Sequence, residues 1–514
     1  MHLKSQEEAY DRFILLGLCL IGFGLRIYQL AGSSLWWDEM ATVARTAVSL
    51  EEMFANLLTV RNHMPLYFLL MRPWSEIGRS AFVMRYTSVI WGVLAIPLIY
   101  QLGRLNVNKK TGLIAAALLT ISPFHIWFSQ ELRMYSLLFF VVLLAHWFLT
   151  RALYQQASWN WAAYGVAMLT SLYLHYMAAL ILLVHYIFFS LYHRFLKPYF
   201  KPWLISAGAA GFFFALWVLQ IMLTGGFHDA PIGWIPPAYW FDPFQTLLAF
   251  SLGPTIDPAQ IIWYVVLLAF IIGILAVLRR YGRLPHTQPG PVDLADLRPY
   301  LFARLLFLWL LVPLGALFLI SLDLPIPQKR AVYVDRYLII SLPAFLLLAA
   351  WGFTLLSRQK RARWVPALAG VVILAGTVLS LSNMFFQPQY ARTDWRSAIQ
   401  QIQASWQPDD LLLITPSQIL PLAYYDDENI ARLILPEEAA EMSLSLVDGG
   451  QRVWVIGNYA NINKHGFPQD RNNAPASELA DYTDWLSANL EQQAEFAYPG
   501  IRVFLYNHPD ESDG

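Results

Sequence analysis

Eleven apolar stretches punctuate the first 384 residues, at 13–31, 80–102, 111–123, 135–153, 161–175, 176–193, 203–223, 260–278, 301–321, 337–356 and 364–384. A helix of about 17–25 apolar residues crosses a bilayer, and a chain in hydrocarbon must satisfy its own backbone polar groups. The spacing therefore predicts a polytopic α-helical membrane protein with about eleven transmembrane helices, the third and fifth runs being short. Charged residues make up only 14% of the 514, where a soluble domain carries about 25%. Collagen-like, disordered and disulfide-stapled chains are excluded. Cys19, the single cysteine, lies in the first apolar run and cannot form an internal disulfide. That run lacks a small-residue cleavage site after it, so it does not read as a signal peptide.

Zero net charge hides a split. Residues 385–514 hold 19 acidic and 7 basic side chains, while the first 384 hold 16 and 28. Lys and Arg concentrate in cytoplasmic loops. Placing Met1 inside puts Arg104, Lys109 and Lys110, then Arg194, Lys197 and Lys201, then Arg279, Arg280 and Arg283, and finally Arg358–Arg363 in cytoplasmic segments. An odd number of spans then places the tail outside. The expected location is the cytoplasmic (inner) membrane of a bacterium, with the tail facing the periplasm or exterior. No basic stripe accompanies a soluble fold, which argues against nucleic acid as a partner.

The outer segments are unusual. Residues 32–79 form a long first loop with amphipathic pieces at Leu50–Leu58 and Met64–Trp74, suited to lie along the interface. Residues 224–259 are rich in Trp, Pro and Gly, and the proline-containing stretch 284–299 reads as a flexible connector. From 385 onward, helix and strand patterns alternate. Asp394–Trp406 reads as a helix, Leu411–Ile414, Leu433–Leu435, Val453–Ile456 and Arg502–Leu505 as strands, with further helices near 437–446 and 477–490. This is a small C-terminal α/β soluble domain, so the division is 1–384 and 385–514.

Four polar clusters stand out. The first is Leu35-Trp36-Trp37-Asp38-Glu39, just after the first span. Interfacial acids are costly and tend to be functional, and a partly desolvated Asp can take a proton from a hydroxyl. Capping a helix that begins near Met40 is the equally weighted alternative. The second runs from Ser122 to Tyr135, SPFHIWFSQELRMY, between two spans. An ion pair of Glu131 with Arg133 that merely closes the loop competes with a site built from His125, Gln130, Glu131, Arg133 and Tyr135. The third is His63-Met64-Pro65-Leu66-Tyr67, where Pro65 suits a first helical turn and a lone His is more often structural. His175-Tyr176 shares that ambiguity. The fourth is Lys329-Arg330 with Asp335-Arg336-Tyr337, either interfacial anchors or a phosphate clamp.

All four fall on the non-cytoplasmic side of this topology. Nucleotide-activated donors are confined to the cytoplasm. An enzyme working outside needs its activated group delivered in the membrane, and a lipid-linked phosphosugar meets that need.

At these clusters the sequence resembles the GT-C glycosyltransferases, specifically the bacterial protein O-mannosyltransferase and aminoarabinose-transferase group (glycosyltransferase family 39-like). The Asp38-Glu39 pair matches the first-loop acids of that group, His63–Tyr67 its HPPLY-like segment and Ser122–Tyr135 its SPFHIWYSQEARMY-like stretch. Arg336-Tyr337-Leu338 with Pro343 matches an RYL…P pattern, and Asp394-Trp395-Arg396 a related tail start. The likeness covers roughly residues 1–390. It implies a GT-C fold and an inverting glycosyltransferase that moves a sugar from a polyprenyl-phosphate donor to an acceptor hydroxyl. By the same resemblance Asp38 is the general base, Glu39 supports it, and Glu131 is a second acid that orients the acceptor or touches an optional divalent cation. Arg133 and Arg336 take the lipid phosphate. His63, Tyr67, Gln130, Tyr135, His175 and Tyr337 line the substrate site. Glu39, His63 and Glu131 are the metal candidates, without a ligand-spacing signature. The acceptor is left open between a glycolipid, a polysaccharide and a protein.

Met64 departs from the usual first proline. No lysine stands between Lys4 and Lys109, so a phosphate-binding first-loop lysine of the aminoarabinose transferases has no counterpart. The alternative function is a lipid-linked sugar transporter, which would set its charges near the bilayer midplane rather than in outer loops.

Overall fold

The computed structural model describes residues 2–59, 64–155, 157–223, 235–284, 294–323, 331–415, 418–426, 430, 432–434, 452–458 and 485–507. His63, Lys329, Arg330, Leu435 and the segment 437–446 lie outside them. The helices, in order, are α1 (His2–Ile27), α2 (Trp37–Ala47), α3 (Leu50–Thr59), α4 (Pro65–Ser75), α5 (Ala81–Asn106), α6 (Lys109–Ile121), α7 (Pro123–Ser129), α8 (Tyr135–Gln155), α9 (Trp159–Leu174), α10 (Ala179–Leu191), α11 (His193–Leu223), α12 (Asp242–Leu252), α13 (Trp263–Tyr281), α14 (Leu294–Ser321), α15 (Leu342–Ser357), α16 (Val365–Phe386), α17 (Trp395–Ser405) and α18 (Ile419–Tyr425). The strands are β1 (Leu411–Ile414), β2 (Arg432–Ile434), β3 (Val453–Asn458), β4 (Glu491–Tyr498) and β5 (Ile501–Asn507).

Every one of the eleven apolar runs is helical. Among the described residues, seven helices are long and apolar enough to cross a membrane, or eight if the bent pair α6–α7 is one broken span. The chain is a multi-pass membrane protein. Two compact units divide it: residues 1–28 with 45–381, and residues 29–44 with 382–514.

In the larger unit, α15 with the 3-10 turn before it (Asp335–Ser341) is central, 94% of its apolar window being buried. α11 lies at the other extreme, exposing Leu204, Ile205, Phe212, Phe213 and Leu216 as a lipid-facing helix does. Small residues let backbones touch, as is usual between membrane helices. A Cβ on Gly103 of α5 would lie 2.9 Å from the Cα of Gly112 on α6, and a Cβ on Gly352 of α15 would overlap the carbonyl of Gly273 on α13.

Two elements depart from the sequence reading. Ser122 ends α6 and caps α7, its Oγ accepting from the His125 N–H at 3.4 Å, with Pro123 in the first turn. The chain bends by 59° there and re-enters as a helix rather than a plain loop. α12 likewise sits inside the Trp-, Pro- and Gly-rich segment, started by Asp242 and a proline at its N-terminus. The interfacial pieces of the first loop form α3 and α4 as expected.

The C-terminal fold is a five-stranded sheet of order β2-β1-β3-β5-β4. β1 runs parallel to β2 and β3, and β5 is antiparallel to β3 and β4. Leu413, Val453, Val455, Leu486, Leu490, Phe504 and Tyr506 form its core. The hairpin β4–β5 turns at Pro499-Gly500, where Gly500 has φ +68°. β4 is an edge strand with polar residues facing out, EQQAEFAY, and carries too little apolar alternation to be read from sequence. The segment expected as a helix over 477–490 is helical at 485–489 among the described residues.

Candidate functional site

In the smaller unit, α2 starts at Trp37, so Asp38 and Glu39 occupy its first turn, where negative charge meets the helix dipole favourably. The two acids divide the work. Glu39 is fully buried. Its Oε2 accepts from the Trp36 N–H at 3.2 Å and pairs with the Arg392 guanidinium at 3.4 Å. A buried carboxylate needs such a partner. Asp38 is only half-buried, next to the exposed Trp37 ring. The capping role anticipated for the pair thus falls on Glu39, and Asp38 is the less buried of the two carboxylates.

The residues around this pair are pinned by the tail. The Ser34 hydroxyl donates to Asp394 Oδ1 at 2.8 Å and accepts from the Arg396 N–H at 3.0 Å. The Leu35 N–H donates to Tyr425 Oη at 2.7 Å. The Asp394-Trp395-Arg396 motif is the N-terminus of α17, Asp394 capping it through the Ser397 N–H at 3.2 Å.

The larger unit holds the second group. After α7, the turn 130–134 is tied to α5 by Ser88, whose Oγ donates to the Glu131 carbonyl at 2.6 Å. Glu131, Arg133 and Tyr135 are buried. Arg85, one turn before Ser88 on the same helix face, is buried as well. Tyr135, His175 and Tyr337 form a row of rings, with centroids 6.0 Å and then 5.0 Å apart. The charges of Arg133 and Arg336 both act on His175. Residues spread over more than 200 positions thereby converge: α8, the α9–α10 turn and the 3-10 turn before α15 bring these three rings together, with Arg133 and Arg336 beside them and the buried acids Glu131 and Asp335 close by in sequence. Tyr67 is buried on α4, edge-on to Phe68.

Gln130 has a committed amide. Its Nε2 donates to the Tyr28 carbonyl at 2.7 Å and the Arg26 carbonyl at 3.1 Å, closing the C-terminal end of α1. Arg26, fully buried, reaches Thr120 and Leu119 carbonyls and His125 Nδ1, at 2.9–3.1 Å. The SPFHIWFSQELRMY stretch therefore serves as scaffold through His125 and Gln130, while Glu131, Arg133 and Tyr135 are buried in the turn and helix start that follow.

Sequence reasoning missed the buried Asp242 and a pair of buried histidines. Asp335, read only as part of the cluster with Arg336 and Tyr337, accepts from Thr246 Oγ1 at 2.6 Å, and the same hydroxyl lies 2.7 Å from Tyr333 Oη. Inside the membrane unit, the His146 Nδ1 meets the Val142 carbonyl at 2.8 Å, so its Nε2 accepts from His185 Nε2–H at 3.2 Å. His185 Nδ1 then accepts from Tyr164 Oη–H at 2.9 Å, and Tyr164 from the Trp203 indole at 3.3 Å. These residues stand singly in apolar helices, and no local pattern marks them.

A cavity of about 440 Å³ lies at the opposite end of α15, lined by Asn106, Arg298, Trp351 and Arg358 among others. None of the chemistry-bearing residues above borders it, so it is not the candidate site. Among the described residues no three His, Cys, Asp or Glu side chains gather to hold a metal. The Glu39 carboxylate is taken by Arg392 and a backbone N–H.

Residues 62–219 match the family described as dolichyl-phosphate-mannose-protein mannosyltransferase. No curated protein sequence matches the chain. Among solved structures, ArnT from Cupriavidus metallidurans bound to undecaprenyl phosphate superposes with a TM-score of 0.57 at 13% identity, over 95% of this chain and 97% of that one. The oligosaccharyltransferase AglB from Archaeoglobus fulgidus, in complex with an inhibitory peptide and a dolichol-phosphate, gives 0.53 at 13% identity over 96% and 80%. The chain has the GT-C fold. The family-matched span carries α4 to α10 and most of α11, hence Tyr67, Glu131, Arg133, Tyr135 and His175.

Proposed function

We propose that the chain is an inverting glycosyltransferase that moves a sugar from a polyprenyl-phosphate donor to an acceptor hydroxyl at the outer face of a bacterial cytoplasmic membrane. The observation that carries this reading is the row of rings Tyr135, His175 and Tyr337 in the membrane unit, with the buried Arg133 two residues before Tyr135 and Arg336 next to Tyr337. Two guanidiniums on an aromatic wall within a membrane helix bundle suit a phosphate whose remainder is lipid. The matched family acts on dolichyl-phosphate mannose, and the two structural neighbours were solved with polyprenyl phosphates. Both facts support the donor class.

In the proposed reaction the acceptor oxygen attacks the anomeric carbon from the face opposite the phosphate. The C–O bond to phosphate breaks and polyprenyl phosphate leaves with the bonding pair. Asp38 takes the hydroxyl proton. Arg133 and Arg336 stabilise the charge that grows on the leaving phosphate, an effect larger in a low-dielectric site than in water. Glu131 orients the acceptor. Tyr67, His175 and Tyr337 shape the sugar subsite, with His63 assigned there by its motif and Gln130 holding the turn that presents Glu131. The acceptor is a glycolipid, a polysaccharide or a protein. Sidedness rests on loop charge.

The test is a purified, nanodisc-embedded protein given a radiolabelled polyprenyl-phosphate sugar. Release of polyprenyl phosphate together with transfer of label to an acceptor is expected. Arg133→Gln and Arg336→Gln should each raise the donor KM by about tenfold, as loss of a charge-assisted hydrogen bond implies. In proteoliposomes, movement of intact donor between leaflets without release would make the protein a transporter and end this reading.

A further inference from the structure

We infer that the C-terminal domain is a positioning part of the catalytic apparatus: it holds the segment carrying Asp38 through an Arg392–Glu39 ion pair and a Ser34-centred link to Asp394 and Arg396. This rests on Asp38 being the base. Residues 29–44 group with 382–514 as one compact body, although 337 residues separate the two stretches in sequence. The grouping has a chemical cause. Four side chains of the tail grip four consecutive points of the segment. Arg396 Nη1 donates to the Ala31 carbonyl at 3.4 Å. Asp394 and the Arg396 N–H take opposite sides of the Ser34 hydroxyl. Tyr425 accepts from the Leu35 N–H. Arg392, itself 8% exposed at its side chain, balances Glu39. Asp38 sits between the last two grips.

The alternative is that the tail uses the segment only as a patch of surface to cover. Apolar covering alone would bury Leu35 and Met40, which it does. It would not require an ionised carboxylate to be brought fully inside beside a guanidinium, a choice that costs desolvation on both partners. What the pair fixes is direction. Glu39 also accepts from the Trp36 N–H, so Arg392 is locked onto the first turn of α2 and hence onto the side chain one residue before Glu39. Misplacement of a reacting group by about 1 Å costs on the order of 10²-fold in rate. Arg392, Ser34 and Tyr425 are therefore positioning residues, and the Asp-Trp-Arg start of the tail is the fastening rather than a binding motif.

The experiment uses the full-length protein in nanodiscs with the labelled donor, turnover being counted per donor-binding site so that misfolded molecules do not enter. Asp38→Asn is the reference. Arg392→Gln should lower kcat by about tenfold or more and leave the donor KM within about twofold, with Arg392→Lys restoring much of the loss. Ser34→Ala and Tyr425→Phe remove one link each without stranding a charge and serve if Arg392→Gln does not fold. Each should lower kcat by about threefold at unchanged donor KM. If these variants keep wild-type kcat while Asp38→Asn loses it, the positioning role is wrong and the base assignment survives. If Asp38→Asn turns over normally, the base assignment itself fails.

Discussion

Asp38 and Glu39 are adjacent and chemically alike, yet burial sets them apart. Glu39 is spent on a helix start and an ion pair, and Asp38 is the less buried of the two. Asp38→Asn is expected to lower kcat by about 10²–10⁴, the usual cost of removing a general base, with donor binding unchanged in a titration of labelled lipid. Equal turnover by the two proteins would remove Asp38 from the role. The pair itself was legible in the sequence. The division was not, because it depends on Arg392, which no local pattern ties to residue 39. Gln130 teaches the same lesson: its neighbours in sequence suggested a substrate contact, whereas its amide reaches back to the end of α1.

Among the elements, the long apolar helices were readable from hydropathy alone, since lipid and core both demand apolar surface. The short α7 was not, although Ser122 and Pro123 form a recognisable helix start. Seven residues give no periodicity to read. Strand β1 of the tail carries another element-scale device at its entry. Asp410 is buried and accepts from Arg452 at 2.6 and 2.8 Å, from the Trp454 indole at 2.8 Å and from the Gln407 N–H at 3.0 Å. Burial alone would push its carboxyl up, but the hydrogen bonds from Arg452, Trp454 and Gln407 together outweigh that and hold it below the ordinary carboxylate range. A carboxyl with a depressed value in the folded state stabilises the fold above its unfolded pKa, about 3.9, and that contribution fades as pH falls through the folded value. The tail is therefore expected to lose stability below about pH 4, seen as a change in tryptophan emission on acid titration of the full-length protein. Asp410→Asn should melt earlier at pH 7 and show a shallower acid dependence. An identical acid profile in that variant would dissociate Asp410 from the transition.

At the scale of the whole molecule, the topology rests on charge. The single native cysteine lies inside α1, so a Cys19→Ser background makes labelling clean. Glu491→Cys in the tail is expected to react with a membrane-impermeant maleimide added to intact cells, and Gln359→Cys, after α15, only once the membrane is broken. Labelling in the reverse order would put the tail, and Asp38 with it, in the cytosol. The membrane architecture and the small α/β domain were both foreseeable from composition and period. Membership of residues 29–44 in the tail's body was not, because it arises from hydrogen bonds between segments far apart in sequence, and hydropathy is silent about those.

The backbone-to-backbone crossings at Gly103 with Gly112 and at Gly273 with Gly352 make tolerance to mutation lopsided. A bulky residue such as Phe212 or Leu216, open to lipid, can be trimmed with little consequence for the scaffold. One added methyl group at position 352 has nowhere to go and must prise two helices apart. The bundle is thus more vulnerable to growth at its smallest residues than to loss at its largest.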